Sequence, residues 1–343
     1  MKLKIVVALL FVSMSMLSQE FKTPVEYLSF IGNEQQNISK SMWKYTSAVA
    51  HSKSARKIDN TRKALVKIIQ NASKKISDLK NGYNGDLEYR NQVISYLGIA
   101  EKSINEEYSK IIDMQEVADQ SYDFMEAYIL ARDLVNKKIE EEDEKVGLAQ
   151  KTFALKYKIT LTDGNTELAK KMETSNQVFK YHTNLYLIFF KVNITDILLS
   201  KAIENKDLGA IQQNANTLLQ YANEGLEKLT NTPNYNNDNS LVEVTKKCLE
   251  YYKKEAEQHV PQIISFYMFN EKFENAKKTL EDKSQKDRTQ EEVNNFNAMV
   301  KQINKKIEDY NKSNNANNQE KNNAINNWNS VAENFISKHV PAE

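Results

Sequence analysis

The stretch "SAVAHSKSARK", residues 47–57, gathers three serines, a histidine and three basic side chains within three helical turns. On one helix, Ser47 and His51, or His51 and Ser54, stand three or four residues apart and so can touch. A serine nucleophile also needs an orienting acid and an oxyanion hole built from free backbone N–H groups. Mid-helix N–H groups are already bonded and no glycine is near, so no catalytic residue is assigned here. Trp43, Ser47, His51, Lys53 and Arg56 are instead the candidate partner-binding face. Small residues at Ala48 and Ala55 permit either a close helix crossing or a groove.

The other reactive side chains form no constellation. His51, His182, His259 and His339 are scattered, and none follows a Glu at the spacing of di-iron bundles or of His-Glu-x-x-His. "HVP" occurs at 259–261 and at 339–341, which reads as Pro261 kinking a helix and Pro341 ending one rather than as a paired histidine site. The one cysteine, Cys248 in "VTKKCLEYY", cannot form an internal disulfide and reads as a small buried hydrophobe. No phosphate-cradling glycine loop, Gly-x-Ser-x-Gly or Cys-x-x-Cys is present. No metal, cofactor or catalytic set is expected, and acidic runs such as "EEEDE" at 140–144 read as solvated helix faces.

Such residues must be positioned by helices. Eight Gly and four Pro in 343 residues leave few breakers, which points to an all-α chain. Lys+Arg 47 against Asp+Glu 46 gives a formal charge of +1, which argues against a nucleic-acid partner.

Residues 1–18 read as a signal peptide, with Lys2 and Lys4 ahead of an apolar run from Ile5 and cleavage after Ser18. No cysteine lies near the cleavage site, so a lipoprotein is not expected; the periplasm, the outer-membrane surface or the extracellular space is. "YLIFFKVNITDILL", 186–199, is the most apolar mature stretch, but Lys191, Asn193 and Asp196 interrupt it. It is shorter than the ~20 apolar residues of a spanning helix and reads as a core helix, so membrane contact is possible without being favoured.

The first helix opens at "TPVEYLSFI", where Thr23 and Glu26 form a capping box, and is expected to run to about Lys57. The second, "DNTRKALVKIIQNASKKISDL", is closed by "KNGYNGD", after which Asp86 caps a third.

The second half then repeats the plan. At an offset of 150, Ala72 pairs with Ala222, Ile76 with Leu226 and Leu79 with Leu229. Ser47–Ala50 fall against Ile197–Ser200, and His51 against Lys201. "NTPNYNND" answers the first glycine turn, and Ser240 with Glu243 is expected to cap as Asp86 does. At an offset of 182, "FALKYK" (153–158) pairs with "FISKHV" (335–340), so the second copy has a longer last hairpin, with another capping box at Thr289 and Glu292. Fifteen extra residues per arm would project roughly 22 Å.

The last helix keeps a heptad register through Phe296, Val300, Ile303, Ile307 and Tyr310, then Ala324, Trp328, Val331 and Phe335. Asn314, Asn317 and Lys321 hold the positions between, inside the asparagine-rich stretch 311–329. That stretch reads as solvated helix, as buried Asn fixing register, or as a local break.

The expectation is therefore two related antiparallel helical-bundle modules, elongated, at 23–158 and 167–341. A linker at 159–166 joins them, and a hairpin at about 262–338 extends the second. The segments "KSMWKYTSAVAHSKSARK", "SYDFMEAYILA", "NLYLIFFK" and "NNWNSVAENFISKHVP" resemble a family of uncharacterised exported helical surface proteins of spirochaetes and Bacteroidota, over nearly the whole mature chain. The resemblance implies an envelope or surface location and transfers no active site. The expected function is non-enzymatic binding of a protein or cell-surface component. The alternatives are a membrane-active helical protein or an envelope small-ligand binder or enzyme.

Overall fold

A computed structural model describes residues 21–118, 122–161 and 166–342, with side chains described outside 107–124 and 126–136. The expected signal peptide lies outside the described residues. The fold is all-α. Its helices are α1 (Pro24–His51), α2 (Ala55–Ser77), α3 (Glu88–Ala118), α4 (Tyr122–Lys156), α5 (Glu167–Glu204), α6 (Leu208–Thr230), α7 (Ser240–Lys254), α8 (Val260–Glu281) and α9 (Gln290–His339). A π-turn, Glu255–His259, joins α7 to α8, and a 3₁₀ turn, Gln285–Asp287, precedes α9. Among the described residues there is no strand, only two isolated bridges.

The chain forms two compact units, and they are not divided by one cut at 159–166. Of the described residues, unit 1 holds 21–45, 54–110, 131–161 and 166–168; unit 2 holds 46–53, 111–118, 122–130 and 169–342. The end of α1, the end of α3 and the start of α4 therefore belong to unit 2.

Each unit buries its own core. In unit 1, Tyr27, Ile31, Leu65, Ile69, Ile76, Leu97 and Phe153 are among the buried cluster. In unit 2 the apolar run of α5 supplies Phe189, Phe190, Val192, Ile194 and Leu199, all buried, so it is a core helix as expected. No helix among the described residues is long and apolar enough to cross a membrane.

The units share internal geometry in detail. Tyr83 and Asp86 exchange backbone hydrogen bonds across a tight turn, as do Tyr235 and Asp238. Asn84 and Gly85 take positive φ in the first turn, and Asn236 and Asn237 do so in the second. Phe153 packs on Tyr27 at 5.2 Å and on Tyr83 at 6.1 Å; Phe335 packs on Tyr181 at 5.5 Å and on Tyr235 at 5.6 Å. Lys156 Nζ lies 2.7 Å from Asp86, and Lys338 Nζ lies 2.6 Å from Asp238. Asp86 and Asp238 each accept from the first-turn N–H two residues on. Asp238 thus does the capping expected of Ser240, which is instead the first residue of α7 behind the N-cap Asn239.

The register of this correspondence differs from the offset of 150. The N-caps Ser54 and Asp207 each accept from the N–H three residues on, and both helices that follow have 23 residues. Leu65 therefore matches Leu218, Ala72 matches Gly225 and Ile76 matches Leu229, all buried. A three-residue slip turns a helix face by about 60°, less than the width of an apolar stripe, so periodicity alone cannot detect it. Tyr27 and Ile31 likewise match Tyr181 and Leu185, and this sets Ala48 against Ala202, both buried. The contrast of small against large residues disappears at Ala48, while Ser47 now falls against Lys201 and Ala50 against Glu204.

The capping boxes at Thr23 with Glu26 and at Thr289 with Glu292 are present. The second unit's last helix is longer, 50 residues in α9 against 35 in α4, and it runs unbroken through the asparagine-rich stretch.

Candidate functional site

The five residues proposed as a partner face are not presented together. Helix α1 ends at His51 rather than Lys57, because Ser54 turns its side chain to the N–H of Lys57 and starts α2. Trp43 and Arg56 fall in unit 1, and Ser47, His51 and Lys53 in unit 2. Trp43, Ser47 and Ala48 are buried, whereas Arg56 is exposed. His51 meets neither Ser47 nor Ser54; its ring nitrogens lie 3.4 Å from Ser337 Oγ and 3.2 Å from the carbonyl of Pro341. Lys53 reaches Glu333 at 3.4 Å in a solvent-exposed pair, which is worth little.

The chemistry concentrates elsewhere in unit 2, in a buried ionic cluster where α5, the π-turn and α9 meet. Lys321 Nζ lies 2.7 Å from Asp196 Oδ1 and 3.0 Å from Glu255 Oε1. The side chains are 15%, 5% and 3% exposed, respectively. Asn317 donates to Glu255 Oε1 at 2.8 Å, and Tyr252 donates to Asn193 at 3.0 Å. Asn317 and Lys321 are heptad positions of α9, so part of the asparagine-rich stretch makes a polar layer against Glu255 and Asp196. Burial and the neighbouring Glu255 charge raise the Asp196 carboxyl to about 7, against the opposing pull of Lys321. Burial alone would lower Lys321, but the attraction and hydrogen bonds of Asp196 and Glu255 raise it overall.

The π-turn positions two of these groups. Pro261 has no N–H to continue the α-helical ladder, and the extra residue of the π-turn carries the chain past it. Glu255 and His259 are both turned inward and buried. His259 Nδ1 lies 3.2 Å from Ser313 Oγ, and Ser313 itself donates to Gln262. Nδ1 must therefore carry the hydrogen, and Nε2 is left as a bare acceptor. His259 Nε2 and Glu255 Oε2 have no hydrogen-bond partner among the described residues. Burial, only partly opposed by the Glu255 charge, holds His259 below its ordinary range, in the neutral form. An open cleft of about 420 Å³ begins beside His259, with Phe266, Lys306, Tyr310 and Ser313 in its wall.

The remaining candidate groups are structural. Cys248 is buried, donates to the carbonyl of Ala324, and has its thiol pushed up to about 12 by desolvation. His182 lies 6.0 Å from the ring of Trp328, and burial lowers it to about 4. His339 bonds to Asp238 and His259 to Ser313, so the two "HVP" histidines serve different contacts. Among the described residues no three His, Cys, Asp or Glu side chains converge as a metal ion would require.

Sequence reasoning singled out Asp196, as an interruption of an apolar run, and Lys321, as a charge in a core register, but did not join them. Glu255 carried no signal at all. Comparison with protein-family models, curated proteins and solved structures finds no match to this chain.

Proposed function

We propose that this is an exported, non-enzymatic helical protein of the cell envelope or surface, and that it binds a protein or surface component through the α8–α9 hairpin. One observation carries the reading: from residue 264 to 302, across both arms and the turn between them, no side chain is buried. The arms are held by half-exposed aromatic pairs, Phe266 with Tyr310 at 4.4 Å and Phe273 with Phe296 at 5.6 Å. Met268 and Ile307 are 59% and 40% exposed. A two-helix arm has no third element to cover its flanks, so such apolar groups favour an added partner surface.

The repeated aromatic and Asp–Lys geometry of the two units supports an internal duplication, with the longer hairpin as the second copy's addition. Export rests on the charged and apolar pattern of residues 1–18 and on the resemblance to exported surface proteins.

The test uses the mature chain and a variant lacking two heptads from each arm, a deletion that preserves register. Binding to the producing organism's envelope fraction is measured for both, with far-UV circular dichroism as the folding control. Retention of the full chain and loss of the shortened one is expected. Equal binding by two folded chains would refute the arm as the binding element. Amino-terminal sequencing of the cell-derived protein checks cleavage after Ser18.

A further inference from the structure

We propose that the Asp196–Glu255–Lys321 cluster is a proton-binding site that holds one proton per chain, and that this proton sets how firmly the Asn317–Lys321 turn of α9 is seated on α5 and the π-turn. The argument begins with charge. Two carboxylates share one ammonium, so the fully ionised cluster carries a net negative charge in a place where all three side chains are largely shielded from water. An uncompensated buried charge is expensive, and a buried acid relieves it by keeping its proton. One proton makes the cluster neutral.

The hydrogen bonding agrees. Asp196 Oδ1 and Glu255 Oε1 meet at the one Lys321 ammonium, at 2.7 and 3.0 Å, so each carboxylate faces the other's charge unless one of them keeps a proton. Glu255 Oε2 and His259 Nε2 are buried acceptors with no donor among the described residues. The ionisable groups facing Asp196 are Glu255 of the π-turn, Lys321 of α9, and Tyr251 and Tyr252 of α7. His259 faces Glu255 and Lys321. Burial keeps both tyrosines protonated and His259 neutral, so only the two acids remain to take the proton. The positions matching Asp196, Glu255 and Lys321 in unit 1 are Met42, Ser103 and Ile139, none of which ionises. The same bundle is therefore built without a charged triad, and the triad is an addition peculiar to unit 2.

The consequence has a definite sign. A carboxyl raised from 3.8 to about 7 binds its proton more tightly in the folded chain than in the unfolded one. The stabilisation it gives is full at acid pH and is lost as pH rises through neutrality. Deprotonation leaves Lys321 shared between two charged acids, and the Asn317–Lys321 turn loosens.

The experiment is a titration of the mature chain with carboxyl carbons labelled by ¹³C. The Asp196 and Glu255 resonances are assigned with Asp196→Asn and Glu255→Gln and followed from pH 4.5 to 9. One carboxyl of the pair, or a resonance shared between them, should titrate at least a hundredfold in proton concentration above ordinary acids. Hydrogen exchange of the Asn317–Lys321 amides, corrected for intrinsic pH dependence, should speed up over the same interval, while that of the α2 amides does not. Asp196→Asn should abolish the change in exchange. Full ionisation of both acids by pH 5.5 in the wild-type chain overturns the proposal whether or not the variants fold. Titration without any change in α9 exchange overturns its second half.

Discussion

Replacing Lys321 with methionine tests the energetics of the buried cluster directly. The methionine keeps most of the aliphatic stem and removes the ammonium that lies 2.7 Å from Asp196 and 3.0 Å from Glu255. At an effective dielectric constant of 20, each such contact is worth about 5 to 6 kcal/mol of attraction, most of it offset by desolvation of the three groups. Losing the ammonium strands that desolvation, and breaking a buried pair from one side costs about 3–5 kcal/mol. K321M should therefore lower the stability of unit 2 by that amount at pH 8. At pH 5 the loss should be smaller, because the acids can neutralise themselves by taking protons. The triple variant D196N/E255Q/K321M removes every charge and should recover at least half of the loss. The assay is urea unfolding followed by Trp328 fluorescence in a Trp43→Phe background, since Trp328 is stacked on Phe189 at 4.2 Å inside unit 2. A loss below about 1 kcal/mol at pH 8, or the same loss at pH 5, would show that water already screens the cluster.

Gly225→Ala places a Cβ 2.9 Å from Leu249 Cδ1 and 3.1 Å from Ile188 Cγ2, so overpacking of about 1–3 kcal/mol should outweigh the gain of about 1 kcal/mol in helix propensity. A rise in thermal stability of the variant would contradict that packing. Thr289→Ala removes the hydroxyl that accepts from the Glu292 N–H in the capping box at the start of α9 and should cost about 0.5–2 kcal/mol locally, seen as faster hydrogen exchange over the first turns of the helix with α2 unchanged. Asp238 is held below its ordinary range: desolvation would raise it, but hydrogen bonds from Lys338, Ser240 and His339 prevail. Its contribution is present above the ordinary carboxylate range and fades as pH falls through the lower folded-state value. Asp238→Asn should thus destabilise unit 2 at pH 7 by about 1–3 kcal/mol and much less at pH 2, and an equal loss at both pH values would count against the clasp. Cys248 should resist a thiol reagent at pH 8 in the folded chain and react at once in denaturant; rapid labelling of the folded chain would disprove its burial.

The all-α class, the capped starts of the first and last helices and the burial of the apolar run in α5 were legible in the sequence. These are local properties: breakers are scarce, apolar residues recur with the helical period, and capping boxes at Thr23 and Thr289 announce themselves in adjacent residues. The sequence also exposed the similar patterning of the two halves, whose glycine and asparagine turns and closing Phe and Lys positions make matching contacts in each unit. The end of α1 was misplaced because Ser54 reads equally well as a helix interior or a cap, and the competition is decided by what the neighbouring turn must satisfy.

The offset of 150 read from periodicity is three short of the spacing between the N-caps Ser54 and Asp207, because a helix face is wider than that slip. Asp196 and Lys321 looked like separate exceptions to two apolar patterns. That they are one object emerges from the packing, because pairing across 125 residues depends on how α5 and α9 lie around the π-turn, and no local pattern encodes that distance.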